Sequence, residues 1–254
     1  MSERPNGGAG ASSTRLNELV AECLDRLEEE GPAAVDAVCR ANPEHGEAIR
    51  RRLESLRRMG LLGPPAEAPE EPGGEPRRLG GFTLLRRLGE GGMGVVHLAV
   101  DESLGRRVAL KLVRPEGLIF ARGRERFLRE AAAVARLRHP AIVPIYSAGE
   151  ERGIPFFAME HVEGRTLAEV LGELRGRAPR VLQGPELARA LGLEGGAVPE
   201  LYRGSWALVC VKLARRVAEA LAHAHGRGVL HRDVKPSNVM LARDGRAPAS
   251  RSRA

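Results

Sequence analysis

Gly89-Glu90-Gly91-Gly92-Met93-Gly94 lies between two runs of apolar, partly β-branched residues, Phe82 to Leu88 and Val95 to Val100. Glycines at that spacing let backbone amides approach phosphate oxygens that side chains would hold off. A G-x-G-x-x-G turn by itself is shared with dinucleotide-binding folds, where a helix starts straight after the glycines and an acid follows about twenty positions on. Here the residues after Gly94, Val95-Val96-His97-Leu98-Ala99-Val100, read as a second strand. The glycines are therefore expected at the tip of a β-hairpin in an antiparallel sheet.

The following segments extend that sheet. A polar turn from Asp101 to Arg107 leads into Val108-Ala109-Leu110-Lys111-Leu112-Val113, and Ile142 to Tyr146 and Phe156 to Glu160 supply two more strands, making five. Positive charge in this chain is carried almost entirely by arginine, and Lys111, Lys212 and Lys235 are its lysines. A compact ammonium and a planar guanidinium are not interchangeable at a phosphate, so each lysine invites a chemical reason. An ammonium in a cleft calls for a carboxylate. Glu130 is the expected partner of Lys111, at the edge of the stripe Phe127, Ala131, Val134 and Leu137 on a helix predicted over 123–137.

Beyond these strands the pattern turns helical. Thr166 to Leu174 predicts a short helix, and Leu208, Val211, Val217, Leu221 and Ala224 signal a long one from about Ser205 to Ala224. Residues 176–203, rich in glycine and proline, are expected to be the least regular part. The long helix delivers the chain into His231-Arg232-Asp233-Val234-Lys235-Pro236-Ser237-Asn238. This places a carboxylate, an ammonium and an amide at fixed offsets, the groups that phosphoryl transfer needs to orient a hydroxyl, meet the moving charge and ligate a metal ion.

Taken in order, the glycine turn, the V-A-L-K strand and H-R-D-x-K-P-x-N resemble the eukaryotic-like Ser/Thr protein kinases of bacteria over about residues 79–245. The resemblance implies an α+β protein-kinase-like fold, with a complete N-lobe of five antiparallel strands plus one helix and a partial helical C-lobe. It implies ATP and Mg²⁺ as cofactors and protein Ser/Thr hydroxyls as acceptors. By position, Asp233 matches the base, Lys235 the cation at the γ-phosphate and Asn238 a metal ligand. Gly89, Gly91 and Gly94 match the phosphate-covering loop, and Lys111 with Glu130 the ion pair at the α- and β-phosphates. Met159 matches the gatekeeper, Glu160 and Val162 the hinge, and Leu88, Val96, Ala109 and Met240 the adenine-lining residues. Lys235 two places after the acid is the Ser/Thr form, His231 matches a structural position, and Arg232 matches the partner of an activation-loop phosphate.

After Asn238 the sequence departs from the family pattern. Asp244-Gly245 fits a hairpin turn rather than the metal-binding Asp-Phe-Gly, and Arg246 to Ala254 has no apolar periodicity. The expectation is a kinase domain over 79–245, cut short before that motif, with impaired transfer and a disordered tail at 246–254. A catalytically inactive nucleotide-binding or docking module, or a fragment with no function, remain the alternatives.

Ahead of the domain, Leu16, Leu19, Val20, Cys23, Leu24 and Leu27 recur at helical spacing. Gly31-Pro32, Asn42-Pro43 and Gly60 punctuate further short helices. A helical appendage is predicted over 14–60, after a disordered start at 1–13 and before a Pro/Glu/Gly-rich linker at 61–78. Whether the appendage docks or is merely solvated is open at this point. The chain carries 40 Lys+Arg against 33 Asp+Glu, but the signs are interspersed and aromatic residues make up 3%, which argues against nucleic-acid binding. Cys23, Cys39 and Cys210 form no metal or disulfide pattern, and no apolar run approaches the length of a membrane span. A cytoplasmic setting is expected.

Overall fold

The computed structural model describes residues 8–62, 77–91, 94–113, 129, 131–151, 153–193, 198–246 and 249–250. They fall into two compact units: 1–129 with 147–158, and 130–146 with 159–254.

The first unit opens with three helices, α1 (Gly8–Glu30), α2 (Ala33–Ala41) and α3 (Gly46–Arg58). Helix α1 begins at Gly8, inside the stretch expected to be disordered. Gly31 and Gly60 terminate helices with positive φ, 72° and 71°, a conformation that costs glycine least. The stripe read from the sequence is the buried one, with Leu19, Val20, Cys23 and Leu24 joined by Val35, Val38, Ile49, Leu53 and Leu56.

The sheet that follows has six strands rather than five, in the order β1-β2-β3-β4-β6-β5. They are β1 (Arg78–Leu79), β2 (Phe82–Gly91), β3 (Gly94–Asp101), β4 (Arg106–Val113), β5 (Ile145–Glu151) and β6 (Ile154–Glu160). The sixth is the short β1, which pairs with the start of β2 through Leu79 and Phe82. Strand β5 starts later than predicted. Ile142 and Val143 are buried ahead of it, and the carbonyl of Pro144, a residue with no N–H to offer a ladder, accepts from the Glu160 amide at 3.0 Å.

Register assigns the two faces of this sheet. In β3 and β4, Val95 lies opposite Leu112, His97 opposite Leu110 and Ala99 opposite Val108. Val95, Ala99, Val108, Leu110 and Leu112 share one core cluster with Leu19, Leu24, Ile49, Leu56, Met59 and Leu61. The helical appendage is thus packed on one sheet face, as part of the same hydrophobic core. Each fully buried leucine in such a cluster contributes about 1.5–3 kcal/mol relative to exposure. Polar contacts fasten it further. The Arg77 guanidinium donates to the Arg58 carbonyl at 3.1 Å, and His97 Nε2 lies 3.4 Å from the Met59 carbonyl.

The second unit contains a helical stretch described over 131–135 (α4), then β7 (Gly164–Thr166), α5 (Leu167–Glu173), α6 (Gly184–Ala190), α7 (Trp206–His225), β8 (Val239–Ala242) and β9 (Ala249–Ser250). Helix α5 starts with a complete capping box between Thr166 and Glu169. Helix α7 is capped by the Ser205 hydroxyl, which accepts from the Leu208 amide at 3.3 Å. Its buried residues are Val209, Leu213, Ala220 and Ala224. Leu208 and Val211, which the sequence reading placed on the apolar face, are exposed, because the buried row steps along 209, 213, 220 and 224. Ala131, Val134 and Leu137 are buried as expected, the last two against Ala220 and Ala224. Phe127 lies outside the described residues.

The stretch expected to be irregular is substantially ordered. Besides α6 it forms short 3₁₀ turns at Pro179–Val181 and Glu200–Tyr202, and Leu182, Leu187, Leu191 and Tyr202 enter one core with Val170, Val209 and Leu241. Its two ends are bridged, with Gly184 N donating to Gly204 O at 2.8 Å and Trp206 N to Leu182 O at 3.1 Å. Within the stretch expected as a disordered tail, β9 pairs with β8, Val239 opposite Ser250.

Candidate active site

The glycine turn is the hairpin that the sequence predicts: β2 and β3 pair antiparallel up to Gly91 opposite Gly94. Gly89 lies opposite Val96, and Val96 opposite Lys111. A glycine of the turn, an apolar side chain and the ammonium therefore stand in one row across three strands. Leu98 opposite Ala109 forms the next row on that face, the face turned away from the residues packed on the appendage. Leu88 and Val96 are half-buried, and Ala109 is buried.

The three site glycines differ in why they are glycine. At Gly94, φ is 141°, and an added Cβ would stand 1.9 Å from the Leu112 carbonyl oxygen. At Gly89 and Gly91 no atom of the described residues, chain neighbours aside, lies within 4 Å of such a Cβ. Of the three, Gly94 is the one that packing among the described residues requires to be glycine. Glu130, the expected partner of Lys111, lies outside the described residues.

In the second unit the catalytic-loop residues converge. The Asn238 side-chain amide donates to the Asp233 carbonyl at 2.8 Å and to Asp233 Oδ2 at 3.0 Å. Lys235 Nζ stands 3.1 Å from the same Oδ2. A 3₁₀ turn at Pro236–Asn238 brings Asn238 back towards Asp233. His231 is buried, and its Nδ1 accepts from the Asp233 amide at 3.4 Å, a structural role in keeping with its expected one. Arg232 has φ 56°, the one positive φ outside glycine among the described residues. Such backbone costs about 1–3 kcal/mol and marks sites where the surroundings hold the chain in place.

The remaining predicted residues are placed as follows. Met159 and Val162 are buried, and Met240 is a buried residue of β8 opposite Thr166. Glu160 forms an ion pair with Arg246, which also raises the arginine's pKa; nothing in the local sequence signals this contact across 86 positions. Lys212, a lysine outside the kinase-like motifs, has a structural explanation. Its ammonium donates to the Glu200 and Arg203 carbonyls at 2.9 and 3.1 Å, tying the stretch at 176–203 to α7. The Tyr202 hydroxyl donates to the Ala242 carbonyl at 2.7 Å, and burial pushes its pKa up.

The protein kinase domain family matches residues 82–248, well over half of the chain, and the chain belongs to that family. Among its relatives are bacterial serine/threonine-protein kinases. PknF of Mycobacterium tuberculosis is 38% identical over 162 residues, covering 64% of this chain and 29% of PknF. PksC of Streptomyces coelicolor is 39% identical over 171 residues, covering 65% of this chain and 26% of PksC. The chain thus spans under a third of the length of either. The crystal structure of the Mycobacterium tuberculosis PknI kinase domain matches with a TM-score of 0.52 and 30% identity, over 70% of this chain and 61% of that one. The α+β kinase fold expected from the sequence is thereby shown.

Proposed function

We propose that this chain transfers the γ-phosphoryl group of ATP to Ser or Thr hydroxyls of protein substrates. The observation that carries it is the Asp233 carboxylate, fixed by the Asn238 amide at 3.0 Å and the Lys235 ammonium at 3.1 Å. Family membership implies ATP and a divalent metal ion. An Asp held in this way accepts a hydrogen bond from an incoming hydroxyl and takes its proton as the new phosphorus–oxygen bond forms and the bond to the β,γ-bridging oxygen breaks to release ADP, while Lys235 offers its charge to the transferred group. Lys111, in one row with Gly89 and Val96, is assigned to the α- and β-phosphates, with Glu130 as its partner. The apolar Val96 and Ala109 beside it suit an adenine ring.

For the metal we propose Mg²⁺. Because Nδ2 of Asn238 is spent on Asp233, the amide oxygen is left as a hard donor of the kind Mg²⁺ takes. Among the described residues no group of three or more His, Cys, Asp or Glu comes together, so Asn238 and phosphate oxygens would supply the coordination. When bound, the ion neutralises charge on those oxygens. No described helix is long and apolar enough to cross a membrane. Dependence on ATP and the free thiols of Cys23, Cys39 and Cys210 support a cytoplasmic setting.

The test is incorporation of label from γ-labelled ATP into a general protein substrate by the chain and by its Asp233→Ala variant. Incorporation abolished in the variant is the expected result. Nucleotide binding without Asp233-dependent transfer would instead favour a nucleotide-binding or docking module.

A further inference from the structure

Beside the catalytic loop, within the second unit, lies a cavity of about 490 Å³ lined by Ala168, Leu171 and Arg175 on one side and Lys235, Pro236 and Ser237 on the other. The charged groups on its walls are both cationic. Helix α5 carries two acids that could have balanced them, but both are committed elsewhere. Glu169 closes the capping box with Thr166, at 2.6 Å from its amide, and Glu173 pairs with Arg165. Asp233, the acid of the loop itself, is paired with Lys235. Arg175 is exposed, and its guanidinium has no partner among the described residues. No acid occurs between Glu173 and Glu186, whereas Arg175, Arg177 and Arg180 do. Leu171, 38% exposed, adds an apolar wall.

We propose that this cavity receives an acidic segment of the protein substrate, with an Asp or Glu side chain against Arg175 and an apolar neighbour against Leu171. The proposal rests on the phosphoryl-transfer function above and names its substrate class. Lys235 links the two sites. It lines the cavity and touches Asp233, so a segment seated there brings its own hydroxyl next to the carboxylate that accepts the proton. A planar guanidinium without an internal partner meets a carboxylate through two parallel hydrogen bonds. Basic segments are repelled by the Arg175 charge, so selectivity comes from exclusion as well as attraction.

The experiment is direct binding, read without nucleotide or turnover. Fluorescein-labelled Ser-containing peptides, one with flanking Asp and Glu and one with Lys in their place, are titrated with the whole chain and followed by anisotropy. The acidic peptide should bind about three- to tenfold more tightly at low salt, an advantage that shrinks as salt screens the half-open site. Arg175→Glu should abolish or invert the advantage, and Arg175→Gln should reduce it. Because Arg175 is exposed and without a side-chain partner among the described residues, both variants should keep the parent's melting temperature. Equal binding of the two peptides, or an advantage unchanged in Arg175→Glu, would overturn the proposal. An Arg175-dependent advantage in a chain that transfers no phosphate would refute the kinase function and uphold the cavity's ligand. Transfer blind to peptide charge would do the reverse.

Discussion

Gly91 and Gly94 belong to one hairpin, yet their substitution should fail in different assays. A methyl at position 94 meets the Leu112 carbonyl, so Gly94→Ala has to part β3 from β4 and should cost about 2–4 kcal/mol in denaturant unfolding. Gly91→Ala touches nothing among the described residues. It should stay within about 1 kcal/mol of the parent while weakening a fluorescent nucleotide analogue, because the methyl intrudes where amides meet phosphate. At His97, burial holds the imidazole pKa below its ordinary 6.5, assisted by Arg87 and Arg77. The unfolded chain therefore takes up a proton that the folded one resists. The resulting stability is fully present above about pH 6.5 and is lost as pH falls through the lower folded value. Melting temperatures should accordingly decline from about pH 6.5 downward, and His97→Gln should flatten part of that decline. His223 shifts in the same direction and should account for a remainder.

Among the elements, the stretch at 176–203 departs most from what its residues announce. Its glycines and prolines read locally as loop, and they do form turns. Leu182, Leu187 and Tyr202 nevertheless find partners on α5, α7 and β8, which no local pattern can display. Tyr202→Phe should therefore destabilise the second unit by about 1 kcal/mol, since the Ala242 carbonyl loses its 2.7 Å hydroxyl donor in a buried place and keeps the Gly245 amide at 3.1 Å. Amide exchange in α6 should be slow, and fast exchange throughout would show that these contacts are transient. The hairpin, the lysine strand and the catalytic loop were legible because their chemistry lies within a few consecutive residues. So was the short helix α5, expected from Thr166 to Leu174 and found at Leu167–Glu173. The face of α7 was misjudged because Leu208 and Val211 are apolar without being buried, and the Glu160–Arg246 pair joins segments with no shared pattern.

On the scale of the first whole unit, the decisive finding is that α1–α3 and the sheet share one core. The apolar stripe of α1 announces a buried face but not what covers it, which is why docking stayed undecided in the sequence. A chain beginning at Arg77 would bare Leu79, Leu84, Val95, Leu110 and their neighbours. It should bind an apolar dye and aggregate, whereas a freely solvated appendage could be removed without consequence. During synthesis the same arrangement imposes a delay. The apolar stripes of the three helices leave the ribosome first, while Ile154 and Ala158, which close their core, follow about a hundred residues later. At about 5–20 residues per second the nascent helices wait some 5–20 s for the strands that bury them. For that interval the growing polypeptide presents the surface that chaperones hold.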